Sequence, residues 1–348
     1  MIERIAVMGA GIMGSEIAQA CAAGGKQVVL FDSVPEALER GVAHVAKICA
    51  RRVARGRMTQ EEADAIVARV RPTGEDADLR DCDLGIEAVP EIMDIKKSVF
   101  TRLEQNLPAG AILASNTSGL SISEMAAVTT RPGAVVGMHF FNPASVMRLV
   151  EVVKGQTTDP ATVEAIVAFA KELGKNPVRV QECPGFLVNR VLVRAMVEAY
   201  KEATRSGADI AAADAAVVAG GPAPMGPFAL GDLIGLDTMG HLQKDLTRAY
   251  GDRYDDGGAI AVQVDAGRLG AKSGAGFFEG PAPEAQPDDA ARAVADRYYQ
   301  GALDEARRCI DEGIAAAEDV DPAIRDGCGW SEGPLAWAES HRPTTSAG

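Results

Sequence analysis

Basic side chains, aromatic rings and histidines are all scarce in this chain. Its 348 residues include 35 lysines and arginines against 49 aspartates and glutamates, a formal net charge of -14. An acidic surface is poorly suited to a phosphate backbone, which argues against nucleic acid as a partner. With only four histidines, acid–base chemistry that uses an imidazole has few candidates.

Long apolar runs and paired cysteines are also missing. No apolar run approaches the roughly 18 residues of a membrane span, so we expect no membrane partner. The six cysteines lie far apart without a CxxC pair. This spacing argues against a disulfide framework and against a zinc site. We therefore expect reduced thiols, no metal and a cytoplasmic location.

The first half of the chain alternates segments of strand length with segments of helix length. Apolar strands are predicted at residues 2–7, 28–31, 84–89, 112–114, 134–139, 149–153 and 178–180. The alternation indicates an α/β fold with a Rossmann-type, doubly wound and largely parallel sheet. We expect this domain over residues 1–183 and an all-α domain over 184–280, followed by a linker rich in proline and glycine.

The helical region contains an internal repeat. A gapless shift of 107 residues aligns Arg190 with Arg297, Glu198 with Glu305, Asp214 with Asp321, and Gly226-Pro227 with Gly333-Pro334. Alanine-rich helices produce one or two such identities by chance, but not the glycines and the Gly-Pro pair together. We predict that residues 288–342 form a second, shorter copy of the helical unit.

A glycine motif follows the first strand and opens a helix. Gly9 permits a tight turn, Gly11 lets the backbone approach a pyrophosphate, and Gly14 lets the helix pack close to the strand. Asp32 stands 18 residues beyond Gly14, where a carboxylate can bind the ribose hydroxyls and repel a 2'-phosphate. The motif therefore predicts an NAD site, the alternative being a tight loop beside a surface carboxylate.

A histidine and a glutamate occupy two neighbouring apolar strands. His139 ends one strand and Glu151 lies inside the next, where a lone carboxylate is costly to bury. Pairing would relieve that cost, fix the imidazole tautomer and create a general base for an alcohol. Taken singly, a structural histidine and an edge-strand glutamate remain the alternatives.

Small polar side chains follow another predicted strand. Ser115 to Ser118 can hydrogen-bond a substrate oxygen or a ribose, or else cap a following helix. Asn189 begins the first helix of the second domain, from which it can reach a ligand in a domain cleft.

Several segments together resemble the 3-hydroxyacyl-CoA dehydrogenase family. They are GAGIMG (9–14), EAVPE (87–91), ASNTSGL (114–120), GMHFFNPASVMRLVEVV (137–153), CPGFLVNR (183–190), PMGPFALGDLIGLD (224–237) and RLGAKSGAGFF (268–278). The resemblance covers about residues 1–280. The C-terminal copy is similar to the tandem helical domains of longer, fused members.

The resemblance implies roles for individual residues. His139 is the general base with Glu151 as its partner, and Ser118 and Asn189 hydrogen-bond the substrate. The residues implied at the NAD site are Gly9, Gly11, Ile12, Met13, Gly14, Asp32, Glu91, Lys96, Ser118, Asn142 and Lys272. Arg51 and Arg55 are candidates for the CoA nucleotide, although a solvated basic helix end explains them nearly as well.

The implied reaction is the reversible NAD-dependent oxidation of (3S)-3-hydroxyacyl-CoA to 3-ketoacyl-CoA, within fatty acid β-oxidation. The alternatives are a dehydrogenase of a free hydroxy acid, as in the similar gulonate dehydrogenases, and a non-catalytic NAD-binding protein. Short members pair through the helical domain. We therefore expect either a homodimer or a pseudo-dimeric monomer in which the second copy replaces the partner.

Overall fold

The chain divides into two units, Met1–Cys183 and Pro184–Gly348, and the computed structural model describes residues 2–341. Within that range the first unit contains eight strands in one sheet. They are β1 (Arg4–Met8), β2 (Gln27–Phe31), β3 (Val70–Thr73), β4 (Leu84–Glu87), β5 (Ile112–Ser115), β6 (Val135–Phe140), β7 (Leu149–Lys154) and β8 (Asn176–Gln181). Their spatial order is β3-β2-β1-β4-β5-β6-β7-β8.

All neighbouring strands pair in parallel except β6 and β7. The central strands are apolar on both faces because helices cover the two sides, and residues such as Val7, Ile86 and Val136 are completely buried. The predicted Rossmann-type sheet is thereby confirmed. The sequence prediction missed β3, whose Arg71 and Pro72 are exposed, as is common at a sheet edge.

Six helices connect these strands within the described part of the unit. They are α1 (Ile12–Ala23), α2 (Pro35–Ala54), α3 (Gln60–Ala68), α4 (Met93–Asn106), α5 (Ile122–Ala126) and α6 (Pro160–Glu172). Thr59 caps α3, because its hydroxyl accepts from Glu62 N while the Glu62 carboxylate accepts from Thr59 N. Helix α2 ends at Ala54, two residues before Gly56, whose φ is +65°.

The second unit is predominantly helical in its described part. Its helices are α7 (Val188–Ser206), α8 (Ile210–Gly220), α9 (Pro227–Ile234), α10 (Leu236–Tyr250), α11 (Ala259–Asp265), α12 (Asp289–Asp311), α13 (Ala317–Cys328) and α14 (Pro334–Ser340). No helix among residues 2–341 is long and apolar enough to cross a membrane. Residue 342, the last of the predicted second copy, lies outside the described residues.

Helices α8 and α9 have counterparts 107 residues later in α13 and α14. The Asp214 carboxylate accepts from Phe228 N and Ala229 N at 2.9 and 2.8 Å, which secures the start of α9. At the shifted positions, Asp321 accepts from Leu335 N and Ala336 N, both at 2.9 Å. In each case a glycine precedes the helix, because a Cβ on Gly226 or Gly333 would overlap the capping carboxylate. The two helix pairs therefore share their capping geometry as well as their sequence pattern.

Candidate active site

The glycine loop between β1 and α1 shows why each of its glycines is needed. Gly9 has φ +105°, and a Cβ there would lie 2.8 Å from Ala88 O. A Cβ on Gly14 would lie 1.8 Å from Gly9 O, so the helix packs directly on the turn. Gly11 differs, since no atom lies within 4 Å of its Cβ position and nothing in the protein requires a glycine there. That open space at the start of α1 fits the pyrophosphate of a dinucleotide.

Asp32 follows β2 and holds the loop in place. One of its carboxylate oxygens accepts from Ala10 N at 2.8 Å, and the other accepts from Val34 N at 3.0 Å. Each oxygen has a second lone pair that can accept from a ribose hydroxyl. Ile12, in the first turn of α1, and Val34 are exposed apolar residues beside this carboxylate and the loop. The residues present therefore suit an adenine nucleotide.

The antiparallel pairing of β6 and β7 brings His139 and Glu151 together. The two residues lie directly opposite in the register, and His139 Nδ1 is 2.7 Å from Glu151 Oε2. Glu151 is completely buried and His139 is 7% exposed, so the pair is shielded while the imidazole reaches the surface. The Phe141 ring lies 4.4 Å from the imidazole, centroid to centroid. A buried carboxylate bound to one ring nitrogen fixes the tautomer of a general acid–base group.

An ion-pair network, buried at Lys96 and Glu87, joins the ends of β4 and β5. Lys96 Nζ lies 2.7 Å from Glu87 Oε1 and 3.0 Å from Glu91 Oε2. Glu91 also accepts from the Thr117 hydroxyl and from Ser118 N, at 2.5 and 3.0 Å. Burial alone would raise the pKa of Glu91, but the Lys96 ammonium and these hydrogen bonds outweigh it and lower that pKa. Glu91 is thus held as a carboxylate beside Ser118.

These contacts limit which of the residues Ser115 to Ser118 can reach a ligand. Of the four residues Ser115 to Ser118, Ser115 and Thr117 are completely buried and their hydroxyls bind Glu87 and Glu91. Only Asn116 and Ser118 are partly exposed, and Asn116 Oδ1 accepts from Phe140 N. Lys96 is also buried, and its ammonium group holds the Glu91 carboxylate next to Ser118.

The sequence prediction missed Glu87, although the signal for it was present. Glu87 ends an apolar strand, as Glu151 lies within one, and the same desolvation cost requires a buried partner. Lys96 and Ser115 meet that requirement, at 2.7 and 2.6 Å.

Arg51 and Arg55 line a cavity of about 350 Å³ at the end of α2. Its other lining residues are Glu16, Ile48, Arg52, Arg57, Pro143, Ser145 and Val146. The Glu16 carboxylate lies 3.1 Å from His44 Nε2 and accepts from Ser145 N at 2.9 Å. Pro143 and Ser145 follow Asn142 on the exposed β6–β7 connection, which therefore runs from the His139 strand to this cluster of guanidinium groups.

Two expected site residues belong to the second unit. Asn189 lies in the first turn of α7 and is partly exposed. Lys272 Nζ lies 2.5 Å from Asp237 Oδ1, and this hydrogen bond lowers the pKa of Asp237.

The glycine loop, Asp32 and the His139–Glu151 pair define an NAD-dependent dehydrogenase built on a Rossmann-type sheet. Residues 4–183 match the model for the NAD binding domain of 3-hydroxyacyl-CoA dehydrogenase. Residues 185–280 and, separately, 294–345 match the model for the C-terminal domain of the same family. The chain belongs to the 3-hydroxyacyl-CoA dehydrogenase family and is an oxidoreductase.

Curated relatives and a solved structure agree with this assignment. The chain is 41% identical over 279 residues to a probable 3-hydroxybutyryl-CoA dehydrogenase of Bacillus subtilis, covering 80% of this chain and 97% of the relative. It is also 41% identical to 3-hydroxybutyryl-CoA dehydrogenase of Clostridioides difficile, covering 79% and 99%. The crystal structure of 3-hydroxybutyryl-CoA dehydrogenase from Escherichia coli K12 is similar over 98% of this chain and 92% of its own, with 29% identity and a TM-score of 0.90.

Proposed function

We propose that the chain catalyses the reversible NAD-dependent oxidation of (3S)-3-hydroxyacyl-CoA to 3-ketoacyl-CoA. The observation that carries the proposal is the His139–Glu151 pair, with its 2.7 Å contact, in the same unit as a glycine loop and Asp32 suited to NAD. Glu91, Ser118 and Asn142 are proposed to complete the nicotinamide side of the cofactor site, with Lys272 from the second unit. Ile12 and Met13 offer the first N–H groups of α1 to the phosphates.

In the proposed mechanism, His139 takes the proton from the substrate 3-hydroxyl group through Nε2, because Nδ1 faces Glu151. Bound NAD supplies the hydride acceptor. Glu151 stabilises the imidazolium as it forms, and in the reverse direction His139 returns the proton to the 3-keto oxygen. Ser118 and Asn189 orient the substrate oxygen by hydrogen bonds, since hydride transfer requires the reactants to be held in contact.

We place the CoA nucleotide at the Arg51 and Arg55 cluster. Four arginines around one cavity provide the positive charge that an otherwise acidic protein must supply locally for a polyphosphate. The buried Glu16 carboxylate holds Ser145 at the wall of this cavity. The basic cluster therefore favours a CoA ester over a free hydroxy acid.

For the domain organisation we propose an NAD-binding domain over residues 1–183, a helical domain over 184–280 and a second helical copy over 288–342. Helix α12 packs along α7 and α8, which supports a pseudo-dimeric monomer. Light scattering is expected to give the mass of one chain, and a dimer would contradict this arrangement.

None of the six cysteines forms a disulfide, and on that ground we propose a reducing, cytoplasmic location.

The experiment that tests the function is a turnover panel. Purified protein is assayed with 3-ketoacyl-CoA esters of increasing chain length and with free hydroxy acids, each with NADH or NAD. We expect turnover of the CoA esters, and His139→Gln is expected to lower kcat by about 100-fold or more while NADH binding is retained. Turnover of free acids alone would favour the gulonate-like alternative, and NADH binding without any turnover would favour a non-catalytic protein.

A further inference from the structure

A strained turn immediately precedes Asn189. Gly185 and Phe186 both have positive φ, at +76° and +51°, and Phe186 is the one non-glycine residue with positive φ among residues 2–341. A bulky side chain rarely adopts this conformation, and it persists only where the surrounding structure holds it. Such strain points to a position whose geometry matters, and Asn189 lies three residues beyond Phe186 in the first turn of α7.

Two tyrosines and Arg190 hold this turn. The Tyr250 hydroxyl donates to Pro184 O at 3.0 Å, and the Tyr254 hydroxyl donates to Arg190 O at 3.0 Å. The Arg190 guanidinium lies 4.3 Å from the centre of the Tyr250 ring. The turn and the first turn of α7 are therefore fixed through Arg190, the direct neighbour of Asn189.

Arg190 is in turn held by the second helical copy. It is completely buried, and its Nε and Nη2 donate to Glu305 Oε1 at 3.0 and 2.5 Å. Its Nη1 donates to Glu312 Oε2 at 2.8 Å. Glu305 lies on α12 and Glu312 directly follows it. A buried guanidinium of this kind requires its carboxylate partners, so α12 determines where Arg190 sits.

The repeat provides an internal comparison. The counterpart of Glu305 in the first copy is Glu198, which pairs with Arg194 on the next turn of α7 and not with Arg190. The contact to Arg190 thus depends on the second copy. A substitution at Glu198 changes another glutamate–arginine ion pair of α7 and leaves the contacts of the turn intact.

We infer that Glu305 and Glu312 of the second helical copy are positioning residues that hold the strained Pro184–Leu187 turn and, through Arg190, the substrate-binding amide of Asn189. The inference rests on the proposed function, in which Asn189 hydrogen-bonds the substrate. Displacement of a substrate-orienting group by even about 1 Å is enough to slow turnover substantially. In this chain the second copy therefore contributes to substrate turnover as well as to folding.

The test is a double-mutant cycle on acetoacetyl-CoA reduction by NADH in the full chain. Asn189→Ala and Glu305→Gln are each expected to lower kcat/KM by about tenfold, the effect of losing one oriented hydrogen bond. Because Glu305 acts through Asn189, the double variant should lose no more than Asn189→Ala alone. The matched control Glu198→Gln should stay within about twofold of the wild type, and the Kd for NADH should not change in any variant.

Glu305→Gln leaves the Arg190 charge buried with a weaker partner, so a loss of activity in this variant could result from unfolding. A second variant separates the two causes. Arg190→Leu with Glu305→Leu removes both charges, and replacements of this kind commonly preserve the fold. We expect the same loss of kcat/KM, again not additive with Asn189→Ala. Three results would overturn this inference without touching the proposed function. They are a wild-type kcat/KM in this variant, losses that multiply in the cycle, and an Asn189→Ala variant without effect. Absence of wild-type turnover with any 3-ketoacyl-CoA would instead refute the proposed function.

Discussion

Exchange of Glu151 for glutamine isolates the electrostatic part of the proposed mechanism. The side chain keeps its size in a completely buried position, but the imidazolium of His139 loses its anionic neighbour. With charge centres about 4 Å apart and an effective dielectric constant of about 20, that neighbour contributes up to ~4 kcal/mol. A loss of ~4 kcal/mol corresponds to about 900-fold in rate, but the glutamine oxygen still accepts one hydrogen bond, so we expect kcat to fall by about 100-fold.

The assay is acetoacetyl-CoA reduction followed by NADH absorbance, with NADH affinity measured separately. Asp214→Asn makes the same carboxylate-to-amide exchange at a buried position in the other unit, at the helix cap described above. It is expected to leave kcat within about twofold. A Glu151→Gln enzyme that kept more than half of the wild-type kcat would refute the assignment of Glu151 as the stabilising partner.

Three further outcomes follow from the described contacts. Arg51→Ala combined with Arg55→Ala should raise KM for acetoacetyl-CoA by about tenfold or more, and a thioester of pantetheine, which lacks the nucleotide, should be unaffected if these groups bind phosphates. Asp32→Ser should lower kcat/KM with NADH and raise it with NADPH, each by about tenfold, and an unchanged preference would exclude Asp32 from the ribose site. Burial raises the pKa of Asp214 from 3.8 to about 7 despite two backbone N–H donors. Protonation of Asp214 therefore makes its full contribution to the free energy of unfolding below pH 3.8. That contribution is lost as the pH rises through about 7 and the folded protein releases the proton. The free energy of unfolding of the wild type relative to Asp214→Asn should then fall by ~4 kcal/mol between about pH 4 and pH 8 in denaturant titrations, and a constant difference would contradict the raised pKa.

Local patterns were enough to predict most of the sheet. They also predicted two carboxylates of the candidate active site, Asp32 and Glu151. The glycine loop, Asp32 and the strand-borne Glu151 each obey a constraint that acts over a few residues or one strand, so the sequence expresses it directly. Burial of a charge inside an apolar strand is such a constraint, because it requires a partner wherever it occurs. The pairing with His139 was accordingly predictable.

Contacts between distant segments could not be predicted in the same way. The Lys96 ammonium on α4 is held by Glu87, at the end of β4, and by Glu91, which follows that strand. The ion pair of Arg190 with Glu305 joins residues 115 apart. The sequence around Arg190 and the sequence around Glu305 give no indication that the two residues pair. The pair becomes evident only from the packing of α12 on α7.

The antiparallel step in an otherwise parallel sheet follows from the length of one connection. Eight residues, 141–148, join β6 to β7. A parallel crossover needs a dozen residues or more, so β7 must return antiparallel to β6. Antiparallel neighbours place residues directly opposite one another, and in this register the residue opposite His139 is Glu151. The same short connection carries Asn142 and lines the arginine cavity with Pro143 and Ser145. The length of this loop therefore determines both the partner of the general base and the wall of the proposed CoA site, and an insertion that lengthened it would disturb both together.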